Sequence, residues 1–337
     1  MATYRVLLVG AGSMGKAWAK NLVQHDECEI AAWVDLVERR AESAIQEIEL
    51  SDCLPETDLH RALAENEFDF AVDVTSPESH CEVTLACLSK GVPVLGEKPM
   101  ADSMESARNM VQASEKAGKL YMVSQSRRYH PQLWAFRELI SSLGSLGMLK
   151  SDFYLGPHFG GFRDEMPYPL LLDMAIHTFD AARFLSGADP ISVYCESFNP
   201  PWSWYQGDAC ASAVFKMTGG IRYTYSGSWC AEGCPTSWEA DWRATCSEGT
   251  ALWNGHDLPH GERVTKPDGF FSEVTPVVSA VDQNVKNGIE GSLADFLNAL
   301  KTGASPMGEC HDNIKSLAMV FGAIESAATG AKIRIGD

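Results

Sequence analysis

Apolar runs alternate with amphipathic segments along the first 125 residues of the chain. Residues 4–9 form a nearly continuous apolar run, which is typical of a strand buried on both faces of a parallel sheet. The same alternation predicts further strands and helices, with strands at 29–34, 70–74, 92–95 and 120–124 and helices at 16–24, 58–65, 79–89 and 103–117. Repeated strand–helix units of this length predict an α/β Rossmann domain with a doubly wound parallel sheet.

The pattern changes after residue 125. A helix is predicted at 131–142, and strand-like stretches then follow one another at 149–154, 191–197, 209–216, 221–230 and 238–246. Runs of strands without intervening helices indicate a largely antiparallel open sheet in an α+β domain. Closing helices are predicted at 288–300 and 312–328, and a last strand at 332–335. We therefore expect two domains, an α/β domain at 1–125 and an α+β domain at 126–337.

A glycine-rich turn joins the first predicted strand to the first helix. It reads Gly10-Ala11-Gly12-Ser13-Met14-Gly15, which is G-x-G-x-x-G between a strand and a helix. The first glycine makes the turn, the second admits a pyrophosphate and the third lets helix and strand pack closely. Asp35 ends the second strand, 20 positions after Gly15, where an acid binds the ribose hydroxyls. These features together predict a dinucleotide site.

Asp35 also bears on the choice of cofactor. A carboxylate beside the 2′ position accepts a hydrogen bond from a ribose hydroxyl and repels a 2′-phosphate, so NAD is favoured. Arg39 and Arg40 follow closely and could neutralise such a phosphate, but we expect them to be solvated residues on the helix after the second strand. NADP therefore stays open as the alternative.

Two further strand ends carry polar residues where a parallel sheet binds its ligands. Glu97, Lys98 and Pro99 follow one of these strands, and Pro99 keeps Lys98 out of the helical region, on a stiff turn. The expected lining of the cofactor groove comprises Thr75, Ser76, Pro77, His80, Glu97 and Lys98. The simpler alternatives are a surface lysine and an ordinary helix cap.

A predicted helix at 168–180 interrupts the second domain. Asp173 and His177 are spaced i, i+4 and share one face of an otherwise apolar helix. Burying a carboxylate and an imidazole is costly unless they have partners or a function. As an isolated pair they would indicate a structural hydrogen bond, but in a dinucleotide-binding chain that also carries Lys98 they indicate a reactive site.

The sequence resembles the Gfo/Idh/MocA oxidoreductases, a family that includes glucose–fructose oxidoreductase and inositol dehydrogenase. The resemblance covers essentially the whole chain and rests on the glycine turn, on Thr75-Ser76-Pro77 with His80, on Gly96-Glu97-Lys98-Pro99 and on Asp173–His177. It implies that Lys98, Asp173 and His177 form the catalytic set. It also implies an open second-domain sheet that mediates a homodimer or homotetramer.

One departure from the family pattern leaves the substrate open. Family members commonly carry Gly-Gly before the Asp-x-x-x-His helix, whereas this chain has Tyr168-Pro169-Leu170 there. We therefore expect a differently shaped loop over the substrate.

The expected chemistry is hydride transfer between a secondary alcohol and the nicotinamide. The alcohol must also lose its hydroxyl proton, and His177, oriented by Asp173, is a natural general base. Lys98 would stabilise the negative charge that develops on the oxygen. The reverse assignment, with a lysine of lowered pKa as the base, stays open.

Polar and aromatic residues of the second domain suggest a sugar or cyclic polyol as substrate, since carbohydrate sites combine flat aromatic faces with polar rims. The expected substrate-binding residues are Lys98, Arg128, Tyr129, Arg163, Asp173 and His177, and other residues of the same region are His158, Asp164, Trp229 and Trp238. For any one tryptophan, a place in the sheet core is an equally good explanation.

Two other functions remain possible at this point. One is a glycoside hydrolase that uses NAD transiently, through oxidation, elimination, water addition and re-reduction. The other is a cofactor-sensing regulator without catalysis, which would have no need to retain Lys98, Asp173 and His177.

Charge and composition limit the other functions. A net charge of −18 and a pI near 4.9 argue against nucleic acid and anionic lipid as partners. No apolar run reaches the roughly 18 residues of a membrane span, and no signal peptide is recognisable, so we expect a cytoplasmic protein.

The ten cysteines are too sparse for a disulfide framework. The spacing of Cys230, Cys234, Cys246, His256 and His260 fits no standard zinc motif, so we expect structural thiols and no metal site.

Overall fold

The computed structural model describes residues 3–282 and 284–336. Within them the chain forms two compact units. The first comprises Met1–Ser126 with Ile289–Ile314, and the second comprises Arg127–Gly288 with Lys315–Asp337. The predicted division differs in one segment, because 289–314 belongs to the first unit. Phe296 packs edge-on against Phe70 with ring centroids 5.2 Å apart, and this apolar contact fixes the returning segment there.

The first unit contains a six-stranded sheet and the helices that connect its strands. Its strands are β1 (Tyr4–Val9), β2 (Cys28–Val34), β3 (Leu54–Glu56), β4 (Phe70–Asp73), β5 (Val94–Gly96) and β6 (Tyr121–Val123). Its helices are α1 (Ser13–Val23), α2 (Arg40–Ile48), α3 (Leu59–Glu65), α4 (Pro77–Ser89) and α5 (Met104–Ala117), together with α9 (Gly288–Thr302) from the returning segment.

All strands of this sheet run parallel in the order β3-β2-β1-β4-β5-β6. This is the order of dinucleotide-binding sheets, whose ligands lie beyond the carboxyl ends at the switch point between β1 and β4. Residues 6–9 of β1 are all buried, as expected for a strand covered on both faces. The predicted doubly wound sheet is confirmed, and the loops after β1, β4 and β5 are therefore placed to meet a ligand.

The second unit is built on a nine-stranded sheet. Its strands are β7 (Leu146–Tyr154), β8 (Pro190–Phe198), β9 (Cys210–Met217), β10 (Arg222–Ser228), β11 (Asp241–Cys246), β12 (Gly249–Trp253), β13 (His260–Lys266), β14 (Glu273–Val278) and β15 (Ile333–Arg334). Its helices are α6 (Pro131–Ser142), α7 (Phe162–Glu165) and α8 (Ile176–Ser186), and most of α10 (Cys310–Thr329) also lies in this unit.

The order of this sheet is β14-β13-β12-β11-β7-β10-β9-β8-β15. Every neighbouring pair is antiparallel except β7 and β10, so the predicted largely antiparallel sheet is confirmed. Buried and exposed residues alternate along β9, which shows that one face of the sheet is covered and the other is open.

The helix predicted at 168–180 is not a single α-helix. Residues Leu170–Ala175 form a π-helical segment, and α8 continues from it. Pro169 precedes the segment with helical backbone angles, as expected for proline at a helix start. Asp173 lies in the π-helical part and His177 at the start of α8, so the two belong to one continuous helical run. Among the described residues, no helix is both long and apolar enough to cross a membrane.

Candidate active site

The glycine turn after β1 has the shape that a dinucleotide requires. Gly10 has φ +99°, and a Cβ there would lie 2.6 Å from the Val74 carbonyl oxygen. A Cβ on Gly15 would lie 2.1 Å from the Gly10 carbonyl oxygen, so helix α1 packs against the turn more closely than a side chain would allow. A Cβ on Gly12 would meet nothing within 4 Å among the described residues. The turn is therefore tight at its two ends and open in its middle.

The open middle coincides with the start of α1. Gly12 is the N-cap residue, and because glycine has no side chain it makes no capping hydrogen bond to the first turn. The next two residues, Ser13 and Met14, are exposed. The N–H groups of a first helical turn have no partner within the helix and attract anions. The residues present therefore fit the pyrophosphate of a dinucleotide.

Asp35 lies beside this turn, at the end of β2. Its Oδ2 accepts the Ala11 N–H at 2.8 Å and its Oδ1 accepts the Val37 N–H at 2.8 Å. A carboxylate oxygen has two lone pairs, so Oδ2 can also accept a ribose hydroxyl. Arg40 Nη1 lies 3.4 Å from Oδ1, whereas Arg39 is exposed. The carboxylate thus organises the turn and presents an acceptor, with one cation beside it.

The loop after β4 is organised by buried polar groups. Asp73 Oδ1 accepts the Thr75 hydroxyl at 2.6 Å and the Thr75 N–H at 3.1 Å. Burial raises the pKa of the Asp73 carboxyl. Ser76 and Pro77 begin α4, as N-cap and first helical residue. His80 is buried with its two ring nitrogens 3.1 Å from the Thr75 oxygen and 3.0 Å from the Pro99 oxygen. His80 therefore connects this loop to the loop that carries Lys98.

The loop after β5 contains Lys98, and the Lys98–Pro99 peptide bond is cis. Glu97 Oε1 accepts the Trp18 indole N–H at 2.7 Å, and Glu97 Oε2 accepts the Lys98 N–H at 3.1 Å. Burial raises the pKa of the Glu97 carboxyl, and the bond from Trp18 partly offsets this. Glu97 and His80 thus bond to protein groups on either side of Lys98. The structure indicates that these two side chains support the loop, a role that sequence reasoning had not separated from cofactor binding.

In the second unit, Asp173 and Arg163 form an ion pair. Arg163 Nε donates to Asp173 Oδ2 at 2.8 Å, and both side chains are partly buried. The guanidinium carbon of Arg163 also lies 5.1 Å from the ring centre of Phe159 and 4.8 Å from that of Phe162. The Asp173 carboxylate, in the first turn of the π-helical segment, is thus paired with a cation on the short helix α7. His177 follows on the same helical run and is partly exposed.

Arg128 and Tyr129, which were expected to bind substrate, are both buried in the second unit. Arg128 Nε and Nη2 each donate to Asp180 at 2.7 Å, and Ser316 Oγ donates to the same carboxylate at 2.6 Å. Arg128 and Asp180 are buried, as is Tyr129. This buried bidentate ion pair gives Arg128 a structural role, and a contact of Arg128 or Tyr129 with substrate stays a prediction.

Aromatic side chains that sequence reasoning did not single out lie on α7, which carries Arg163, and on the loops near it. Phe159 and Phe162 are 54% and 68% exposed. Trp204 stacks on His158 with ring centres 3.8 Å apart. The loops are joined by hydrogen bonds from Gln206 N to Asp164 O and from Asp208 N to Pro167 O, at 2.8 and 2.9 Å. Spacing along the chain gave no signal for this group, because its members come from two separate loops.

The two tryptophans that were considered for this region differ in exposure. Trp229 is fully buried and packs against Phe153, Phe159 and Trp238, so it belongs to the core. Trp238 is about half exposed and can offer a flat face.

The first unit contains a dinucleotide-binding sheet. The second carries a carboxylate and an imidazole, Asp173 and His177, on one helical run. Together these features define a class, the nicotinamide-dependent oxidoreductases. Comparison with known families agrees. The family model described as "Oxidoreductase family, NAD-binding Rossmann fold" matches residues 4–125, and the "GFO/IDH/MocA C-terminal domain" model matches residues 142–252. The two matches together span well over half of the chain. The chain belongs to the Gfo/Idh/MocA oxidoreductase family, and the predicted NAD-binding domain is confirmed.

Individual relatives give the same class. Inositol 2-dehydrogenase of Arthrobacter sp. (strain FB24) is 34% identical over 195 residues, which is 57% of this chain and 56% of that protein. The chain thus aligns with little more than half the length of that relative. 1,5-Anhydro-D-fructose reductase of Ensifer adhaerens is 24% identical over 337 residues, which is 97% of each protein.

Among solved structures, an oxidoreductase from Agrobacterium radiobacter in complex with NAD+, L-tartaric acid and magnesium superposes with a TM-score of 0.87. Its sequence identity is 22%, and the superposition covers 99% of both chains. At this identity the likeness extends to the fold alone. The named relatives are dehydrogenases and reductases, and the protein is an oxidoreductase of the same family.

Proposed function

We propose that the protein is an NAD-dependent dehydrogenase or reductase acting on a secondary alcohol of a sugar or cyclic polyol. The observation that carries this proposal is the setting of Asp173. Its carboxylate pairs with Arg163 at 2.8 Å, and it lies in a π-helical segment directly before His177. Single π-helical turns within α-helices are rare and occur frequently at functional sites.

In this proposal, Lys98, Asp173 and His177 form the catalytic set. NAD supplies a nicotinamide carbon that accepts the hydride when it is bound. His177 accepts the hydroxyl proton, Asp173 keeps its ring oriented and Lys98 stabilises the negative charge on the alcohol oxygen. The exchange of roles between His177 and Lys98 remains an alternative. Arg163 acts as a positioning residue, since it bonds to Asp173.

The preference for NAD over NADP is supported by Asp35. Its buried carboxylate lies next to the turn that would hold the pyrophosphate, and a 2′-phosphate there would face a negative charge. Arg40, 3.4 Å from the same carboxylate, reduces this repulsion. The two charges together still favour NAD, but the preference for NAD over NADP is smaller than Asp35 alone would give.

The exposed aromatic side chains of the second unit support a cyclic polyol or sugar as the substrate. Phe159, Phe162 and Trp238 offer exposed flat faces, and Arg163 and His158 offer polar groups near them. Flat apolar faces with a polar rim suit the C–H face and hydroxyl groups of a pyranose or cyclitol. Two relatives, an inositol 2-dehydrogenase and a 1,5-anhydro-D-fructose reductase, are named for ring substrates of this kind.

A second candidate is the redox-neutral glycoside hydrolase, and one observation favours retaining it. Asp164 Oδ1 is buried and has no hydrogen-bond partner among the described residues. An elimination needs an acid for its leaving group, and a carboxyl oxygen that bonds to no other group can take that role. Asp180, on the same helical run as Asp173, is engaged with Arg128 and Ser316 in the core and is not available for this role.

Activity screening with the purified protein tests the proposal. Sugars, cyclitols and aryl glycosides are supplied with NAD, and NADH formation and glycoside cleavage are both measured. We expect NADH formation with at least one cyclic polyol or sugar. Cleavage without net NADH would support the hydrolase, and NAD binding with no turnover across the panel would support a cofactor-sensing regulator.

We also propose a homo-oligomer, a dimer or tetramer, formed through the open face of the nine-stranded sheet. Tyr194 pairs with Val214, Val214 with Thr224 and Thr224 with Lys150, so these residues share one row on that face. Tyr194 and Val214 are 41% and 48% exposed, which leaves apolar surface for a second copy of the chain. Val214→Asp should shift the molar mass measured by light scattering toward the monomer, and an unchanged mass would refute this interface.

A further inference from the structure

Three consecutive residues at the start of α10 bring different metal-binding atoms together. Glu309, Cys310 and His311 have their ligand atoms within 4.8 Å of one another. Cys310 Sγ lies 3.0 Å from Glu309 Oε1 and 3.5 Å from His311 Nδ1, and these two atoms are 2.8 Å apart. Among residues 3–282 and 284–336, this is the one cluster of three or more such residues.

The donor set matches the preferences of zinc. Zn²⁺ binds thiolate, imidazole and carboxylate, at about 2.3 Å for sulfur and about 2.0–2.2 Å for nitrogen and oxygen. Ligands at those distances in a tetrahedron are roughly 3.3–3.8 Å apart. The three observed separations need only a small outward adjustment to reach this range. Cys310 is fully buried, yet its sulfur faces the other two ligand atoms.

A fourth residue provides the support that metal-bound histidines require. His311 Nε2 lies 3.0 Å from Glu115 Oε1, on α5. A ligating histidine almost always donates its other ring N–H to a carboxylate, a carbonyl or water. Donation from Nε2 to Glu115 leaves the lone pair of Nδ1 directed at Glu309 and Cys310. The side chain of His311 is 51% exposed, which provides a path for an ion to enter.

We propose that Glu309, Cys310 and His311 bind a Zn²⁺ ion, with Glu115 orienting His311. The ion has a structural role in the first unit. Gly308 O accepts the N–H of Val123 at 2.8 Å, so the residues before the cluster cover the edge strand β6. A metal at this point fastens the returning segment to the edge of the sheet and, through Glu115, to α5. On binding, the thiol proton of Cys310 is released to solvent.

The simplest competing explanation is an ion-pair network without a metal. In such a network Glu115 and Glu309 raise the pKa of His311. The two explanations differ in whether the thiol takes part, because an ion-pair network does not require Cys310. No metal site was expected from the sequence, because the only cysteines and histidines weighed there, from Cys230 to His260, fit no zinc motif. Glu309, Cys310 and His311 were not singled out.

Titration of the metal-free full-length protein with Co²⁺ alone and with Zn²⁺ alone tests the proposal. We expect one tightly bound Co²⁺ with a thiolate-to-metal charge-transfer band, which one equivalent of Zn²⁺ displaces. Cys310→Ser should abolish the band. His311→Ala should weaken Zn²⁺ binding by more than roughly 100-fold, and Glu115→Gln by roughly 10–100-fold, the range for a residue that orients a ligand.

Two variants serve as controls. Cys234→Ser removes an exposed thiol and His60→Ala removes an exposed imidazole, and neither should change the affinity. Because Cys310 is buried and its variant can fail to fold, His311→Ala, on a half-exposed side chain, keeps the test decisive. Absence of the charge-transfer band in the wild type, or equal Zn²⁺ affinity in wild type and His311→Ala, would overturn the proposal.

Discussion

The indole nitrogen of Trp18 donates a hydrogen bond of 2.7 Å to Oε1 of Glu97, the residue that precedes Lys98. Trp18 is fully buried in α1, the helix that begins at the glycine turn. On the other side of Lys98, the Pro99 oxygen lies 3.0 Å from His80. The backbone of the proposed catalytic lysine is therefore held from both neighbours by buried side chains of the dinucleotide-binding unit.

This arrangement makes Trp18 testable as a positioning residue. Trp18→Phe removes the donor but keeps an aromatic ring in the core. We expect kcat to fall about 10-fold, within the 10²-fold that a small misplacement of a catalytic group can cost. KM should change much less, because the substrate loses no contact. Trp253→Phe, which removes an indole hydrogen bond to Asp257 O in the other unit, is the matched control. An equal loss of kcat in both variants would indicate general destabilisation.

The catalytic set gives the second prediction. Lys98→Ala and His177→Ala should each lower kcat by roughly 10²–10⁴, the effect of removing a positioned proton-transfer or charge-stabilising group. NAD affinity, measured by fluorescence titration, should persist in both variants. Lys90→Ala, at the exposed C-terminal end of α4, is the control for removing a lysine charge. Turnover near the wild-type rate in either variant would exclude the role proposed for that residue.

The first unit was largely predictable because its signals are local. Continuous apolar strands, a glycine turn between strand and helix, and an acid at the end of β2 can each be recognised within a short window. The run from Asp173 to His177 was likewise found from its spacing. The switch from π-helical to α-helical geometry within that run was not, because it depends on packing that spacing does not record.

Features that depend on long-range contacts were missed. Strands β13 and β14 are largely exposed, and Pro276 lies within β14 at the sheet edge, so neither shows the alternation of a half-buried strand. Segment 289–314 packs with the first unit through the contact between Phe70 and Phe296, and no local sequence pattern predicts this contact. Arg128 appeared suited to a substrate, but its charge is balanced by Asp180, far along the chain.

Cofactor selectivity gives the third prediction. Asp35→Asn removes the negative charge while keeping the side-chain shape and one acceptor oxygen. NAD binding should weaken, because asparagine has one acceptor oxygen, whereas the Asp35 carboxylate accepts the Ala11 N–H at one oxygen and the Val37 N–H at the other, so the turn beside the ribose is disturbed. The ratio of NADP to NAD affinity should rise, since the repulsion of a 2′-phosphate is lost. Adding Arg40→Ala should lower that ratio again. A wild-type protein that already prefers NADP would contradict the assignment and direct attention to Arg40.

The buried ion pair of the second unit gives the fourth prediction. Asp180→Asn leaves the Arg128 guanidinium buried beside a neutral amide. Breaking a buried pair in this way costs about 3–5 kcal/mol in the free energy of unfolding. Glu273→Gln breaks the exposed pair between Glu273 and Lys266 and should cost no more than about 1 kcal/mol. Urea unfolding measures both values. Similar small losses would show that the Arg128–Asp180 pair contributes little to the fold.

The last prediction separates the two candidate reactions, which begin with the same hydride transfer. A dehydrogenase releases one NADH for each alcohol oxidised, whereas a redox-neutral hydrolase returns the hydride and cleaves glycoside without net NADH. The hydrolase also exchanges a proton at the carbon next to the transient ketone, so its product would carry deuterium there in heavy water. We expect stoichiometric NADH and no deuterium at that carbon, because Lys98, Asp173 and His177 suffice for simple oxidation.

Asp164 provides the matched variant for this comparison. Its buried Oδ1 makes it the remaining candidate acid for a leaving group, while Asp180 is bound in the core. If the protein is a dehydrogenase, Asp164→Asn should leave the rate of NADH formation within a few-fold of wild type, since oxidation requires no leaving-group acid. If the variant abolished cleavage of an aryl glycoside while transient hydride transfer continued, and the wild-type product carried deuterium, the reaction would be hydrolysis. In that case the role of Asp173 and His177 would be to start an elimination.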